Sequence, residues 1–162
     1  MKGSTLMGGM LGFTAVFAGT LWYFQNYAYY EVSNPTDYTI PLTLAGQQVN
    51  EPILARDFTV LSADTSPLKF RACFTVENSI PMLTETYQVY DGATPLKPPS
   101  WFDCFDVGQL TDDLASGAAV AFLSIKNQPK GVDQVVAVYG DGRAFAWRQM
   151  NDIFKKPQTL TD

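Results

Sequence analysis

VVAVYGDGRAFAW, residues 135–147, decides the fold: five strand-forming residues, a Gly140-Asp141-Gly142 turn, then Arg143 to Trp147 in a second strand pattern. Two such patterns across a Gly-rich turn predict a β-hairpin and therefore an antiparallel sheet. Working outward, strands are expected over 38–44, 58–62, 68–76 and 119–125, with the hairpin arms extending to 132–139 and 143–150. A helix fits 107–116, where Asp106 can accept the first free N–H groups and Gly117 can end the last turn. The proline-rich stretch 78–99 is expected as an irregular excursion with a helical turn near 82–87. No internal repeat is visible.

The other decisive segment is TLMGGMLGFTAVFAGTLWYF, residues 5–24, which has neither charge nor proline. Twenty helical residues at about 1.5 Å each span roughly the 30 Å of a bilayer's hydrocarbon core. Trp22, Tyr23, Tyr27, Tyr29 and Tyr30 follow as an aromatic belt of the kind that settles at a membrane interface. Lys2 before the span, against Glu31 and Asp37 after it, puts the N-terminus in the cytoplasm by the positive-inside tendency. The rival is a cleaved signal peptide; against it, no small-x-small site follows the apolar run, which passes straight into aromatic residues. Gly8, Gly12, Ala15 and Gly19 recur at i, i+4, i+7 and i+11, one stripe of small residues on which a second helix can pack closely.

Two cysteines, Cys73 and Cys104, sit in aromatic surroundings 31 residues apart. In an exported domain an even count favours a disulfide; the alternatives are buried free thiols or, at a spacing unlike Cys-x-x-Cys, a redox pair. The fold class expected is α+β: one N-terminal transmembrane helix followed by a small, mainly antiparallel β-sheet domain with one or two short helices and one disulfide. Residues 1–32 form the cytoplasmic end, span and belt, Ser33-Asn34-Pro35-Thr36 a linker, and 33–162 the exported domain.

The formal charge is −5, and past the span 10 basic groups face 16 acidic ones, with no basic cluster larger than Lys155-Lys156. Nucleic acid, whose binding rests on releasing counterions to a basic patch, is not an expected partner. The chain has no histidine, so the commonest general base and metal ligand is missing, and no metal or cofactor is expected. Asp103 and Asp106 flank Cys104 and could do acid–base work; the simpler expectation is that Asp106 caps a helix and Asp103 pairs with Arg71 or Arg148. Arg71, Arg143 and Arg148 alternate with apolar residues on expected strands, suited either to an anion or to ion pairs. With no histidine and no nucleophile elbow, a hydrolytic triad has no support.

Three segments, SPLKFRACF (66–74), PSWFDCFD (99–106) and 135–147 with its Gly-Asp-Gly-Arg turn, carry a resemblance to an alphaproteobacterial family of membrane-anchored proteins with no assigned function. The resemblance spans most of the chain. It implies an envelope protein of a Gram-negative cell, anchored in the inner membrane with its domain in the periplasm. The function expected is a non-catalytic accessory subunit or assembly factor of an inner-membrane complex, such as one of electron transport or photosynthesis. Its partners would be the lipid bilayer and other transmembrane helices. The alternative expectation is a periplasmic binding or sensing module whose arginines hold a small anion.

Overall fold

The structure, a computed structural model, describes residues 3–35 and 38–155. Lys2, Thr36, Asp37, Lys156 and the tail beyond it lie outside the described residues. The chain divides into two compact units, Met1–Tyr30 and Glu31–Asp162. Glu31–Ser33 is a strand that belongs to the second unit.

The first unit is helix α1, Gly3–Asn26, long and apolar enough to cross a membrane. Its two interior hydroxyls bond back to their own helix, Thr14 Oγ1 to the Met10 carbonyl at 2.9 Å and Thr20 Oγ1 to the Val16 carbonyl at 2.8 Å. A polar group in such a helix thereby finds a partner without water. Tyr29, with φ of 68°, turns the chain out of the helix at its end. The belt rings pack on one another: Trp22 and Tyr27 lie 5.3 Å apart between centroids, and Phe24 and Tyr29 5.9 Å.

The second unit is built on one seven-stranded antiparallel sheet: β1 (Glu31–Ser33), β2 (Tyr38–Thr43), β3 (Asn50–Ser62), β4 (Arg71–Val76), β5 (Ala119–Ile125), β6 (Val132–Tyr139) and β7 (Arg143–Met150). The order is β1-β3-β4-β7-β6-β5, and β2 joins β3 beside β1. β5, β6 and β7 have the expected limits, and β6 and β7 form the expected hairpin, with Val138 opposite Ala144.

Three corrections concern the other elements. β3 starts at Asn50, eight residues before the expected 58, because Pro52 and the polar Asn50, Glu51, Arg56 and Asp57 hide its alternation. Pro52 lies opposite Pro41, a pair suited to a non-hydrogen-bonded site where neither needs an N–H. Asp57, at φ of 55°, marks a bulge where the register with β4 shifts. β4 begins at Arg71 instead of 68, because Pro67–Lys69 forms a 3-10 turn whose Leu68 N–H donates to Ser66 Oγ. Short helices number three among the described residues: α2 (Ile80–Thr86), α3 (Val107–Ser116) and the single turn α4 (Asp152–Lys155).

The sheet curls until β2 meets β5. Thr43 Oγ1 donates to the Ser124 carbonyl at 2.9 Å, and Ser124 Oγ to the Pro41 carbonyl at 2.6 Å. Residues 87–90 close the seam: Gln88 N–H donates to the Thr43 carbonyl, and the Leu123 N–H to the Gln88 carbonyl, both at 2.8 Å. Inside the curl lie Ile40, Leu42, Phe74, Phe122, Val136 and Val138, with Ala72, Ala144 and Ala146 leaving room for the larger rings. Alternation sends the neighbouring residues outward. On that outer face Trp147 and Val135 are fully buried as well: Phe105 of the segment before α3 lies against Trp147, and Phe102 and Leu110 of the same stretch are themselves buried. This second layer explains why every residue of β6 is buried.

Candidate functional site

The Cys73–Cys104 disulfide fastens that outer layer to β4, with the two Cα atoms 6.3 Å apart. Phe105, next to Cys104, meets Trp147 and Phe145 edge to face at 6.3 and 5.8 Å between centroids. Asp106 caps α3 by accepting from the Gly108 and Gln109 N–H groups, and Gly117 ends the helix at φ of 79°. Asp113 of the same helix accepts from Tyr139 Oη at 2.7 Å. Burial first, and then this bond and the Asp113 charge, push the Tyr139 phenol up to about 12.

The three arginines are not brought to one spot. Arg71 is buried on the outer face, where its guanidinium donates to the carbonyls of Leu96 at 2.7 Å and Leu68 at 2.6 Å and lies 5.9 Å from the Phe105 ring centroid. Arg148 follows Trp147 and so projects from the opposite face, donating to Gln134 Oε1 at 3.0 Å and covering the Phe70 ring at 4.7 Å. Arg143 pairs with Asp141 at 2.7 Å and lies over the Tyr139 ring at 4.6 Å. Its Nε bond holds the Asp141 carboxyl below the usual range. Arg143 and Arg71 stand opposite Thr75 and Trp147, four residues apart along the ladder and so about 13 Å apart along the strands. Gly8, Gly12, Ala15 and Gly19 are all exposed on α1, as are Trp22, Tyr23, Tyr27 and Tyr29, with Tyr30 half-buried.

A concavity that the sequence did not single out lies at the end of the curl where β2 turns into β3 and β5 into β6. It is an open groove of about 1050 Å³. Four stretches wall it: the turn at 46–50, residues 88–92, the turn at 126–128 and residues 151–153. Its floor is rigidly built. Asp133, 4% exposed, accepts from the Asn127 N–H at 2.8 Å, Asn151 Nδ2 at 3.0 Å and Tyr90 Oη at 2.9 Å. Burial and this contact with Asp133 hold the Tyr90 phenol well above its ordinary value. Gln149, 1% exposed, ties the 92–94 segment to β7, donating to the Gly92 carbonyl at 3.2 Å and accepting from the Thr94 N–H at 2.8 Å.

The groove is rich in carboxamides. Seven of the chain's fifteen asparagines and glutamines line it, among them Gln47, Gln48, Asn50 and Gln128. Gln47, Gln48 and Gln128 form no side-chain hydrogen bond within the described residues and stand exposed at the mouth. Lining charges are the carboxylates of Asp91, Asp133 and Asp152 against the single ammonium of Lys126. No group of three or more histidine, cysteine or acidic side chains suited to a metal ion occurs among the described residues. The sequence signal for the groove was only a set of polar turns, since its walls come from four separate stretches with no shared spacing.

No curated protein and no solved structure matches the chain. A family model described as a family of unknown function, DUF6446, matches residues 40–158. That stretch holds both cysteines, all three arginines discussed above and the groove, and leaves α1 and β1 outside it. With most of its length matched, the chain belongs to this family of unknown function, DUF6446.

Proposed function

We propose that the chain is a non-catalytic accessory subunit or assembly factor of a bacterial inner-membrane complex, of the electron-transport or photosynthetic kind. In this proposal α1 stays attached and crosses the lipid with its N-terminus in the cytoplasm, and the sheet domain stands in the periplasm. The observation that carries it is the pairing of an apolar helix bearing no buried residue with a domain stapled by a disulfide. A 24-residue helix with its apolar surface exposed needs lipid or another helix against it. A disulfide persists in an oxidising compartment. The small-residue stripe of α1 supplies a surface on which a neighbouring helix can approach closely. In the domain, the buried ionisable groups Arg71 and Asp133 are engaged in holding segments together, which supports a structural role for them.

The test is to solubilise native membranes in a mild detergent, separate the complexes on a native gel and identify by mass spectrometry what travels with the chain. Co-migration with larger membrane proteins is expected. Migration as a free monomer, or recovery in the soluble fraction after gentle lysis, rejects the proposal.

A further inference from the structure

We infer that the groove at the β2–β3 and β5–β6 turns binds a neutral, hydroxyl-rich ligand of the oligosaccharide class. This goes beyond the accessory role and does not depend on it, since every wall of the groove belongs to the sheet domain.

The chemistry of the lining selects the ligand. A carboxamide offers a carbonyl acceptor beside an NH2 donor, and a hydroxyl likewise both donates and accepts, so amides around a concavity match a surface of neighbouring hydroxyls. Gln47, Gln48 and Gln128 present that pairing unspent at the mouth. The carboxylates of Asp91 and Asp152 accept only, and a hydroxyl satisfies them through the stronger, charge-assisted kind of hydrogen bond. Anions are disfavoured, because one lysine faces three carboxylates. An apolar ligand would leave this polar lining without partners. An extended peptide would gain most by adding to a sheet edge, but the β5 edge here is already taken: Leu123 N–H donates to the Gln88 carbonyl, and Tyr90 N–H donates to the Ala121 carbonyl. The volume lies at the top of the range for small-molecule sites, roughly 300–1,000 Å³, with room for several linked rings. The floor is prepared in advance, since Asp133 and Gln149 lock the two segments that flank it.

The full chain in lipid nanodiscs, where no sugar-headed detergent competes, is probed by saturation-transfer NMR. The probes are chitotetraose, maltotetraose and cellotetraose, with inorganic phosphate and trialanine alongside. Transfer to ring protons of at least one saccharide is expected, and neither phosphate nor trialanine should bind. The double variant Gln47→Ala, Gln128→Ala should weaken saccharide binding roughly tenfold, from the loss of about two hydrogen bonds. Its thermal midpoint should not move, because neither side chain forms a hydrogen bond among the described residues. Arg56→Ala, at an exposed ion pair outside the groove, should bind as the parent does. Failure of all three saccharides to bind, binding indifferent to the double variant, or preference for phosphate or trialanine overturns the inference.

Discussion

Gly140 and Gly142 bracket one turn and answer to different constraints. Gly142 has φ of +91°, and a Cβ there would stand 2.8 Å from the Val76 carbonyl oxygen, a backbone atom on the adjoining strand. A Cβ on Gly140 would meet nothing within 4 Å. Gly142→Ala should therefore destabilise the domain by roughly 1–3 kcal/mol, a strain of the size stored in unfavourable backbone conformations, whereas Gly140→Ala should be close to neutral. Urea unfolding of the two variants checks this, and equal midpoints would contradict it. Gly-Asp-Gly was legible as a turn, yet which glycine the turn requires was not, because the constraint comes from Val76, 66 residues earlier in the chain. Tyr139 sets a second expectation. Its folded pKa, near 12, lies above the ordinary value of 10.0, so the folded state holds the proton more tightly than the unfolded one. That stability is complete below pH 10 and is lost as pH rises through about 12. Tyr139→Phe should lower stability at pH 8 by about 0.5–1.5 kcal/mol, the worth of the bond to Asp113, and flatten the decline between pH 10 and 12. An unchanged alkaline slope in denaturation curves would dismiss the Tyr139 phenol as its source.

At the scale of elements, the outer layer is held by one covalent link and one helix cap. Closing a 31-residue separation contributes about 3–4 kcal/mol in the chain-entropy model, so Cys73→Ala with Cys104→Ala should lower the unfolding free energy by that order. Asp106→Ala, which removes the acceptor for two N–H groups of α3, should subtract about 1 kcal/mol. Urea titrations give both values, and a double cysteine variant as stable as the parent would mean that packing of Phe102 and Phe105 alone fixes the layer. These features were readable from the chain because each is local: the cap and stop of α3 sit within one residue of their helix, and β5, β6 and β7 are unbroken apolar runs bounded by turn residues. β3 escaped notice for the opposite reason. Its first half, 50–57, alternates correctly in space but carries Pro52, which faces Pro41 of its partner, and a bulge at Asp57, a pattern that makes sense only once β2 lies beside it. The groove escaped too, since Gln47, Gln88, Gln128 and Asn151 meet only after the sheet has curled.

For the whole molecule, the separation into two units makes the proposed docking face open to an unusually clean test. A Cβ on Gly8, Gly12 or Gly19 would meet nothing within 4 Å among the described residues apart from the neighbouring backbone of α1 itself, so larger side chains there are accommodated by the helix. Glycine also disfavours a helix by about 1 kcal/mol relative to alanine, and a leucine in its place strengthens α1 as a helix and as an apolar span. Gly8→Leu with Gly12→Leu should thus leave membrane retention and the folded domain intact, the latter read from the near-ultraviolet circular dichroism of buried Trp147 and from the oxidised state of Cys73 and Cys104. Association with other membrane proteins should fall severalfold on a native gel, because packing between helices in lipid depends on close backbone approach and falls away when leucines hold the surfaces apart. Met10→Ala, on the opposite side of the same helix, supplies the control for altered apolarity. If the double leucine variant keeps its full complement of partners, α1 serves as a tether only, and whatever the domain meets it meets through its own surface.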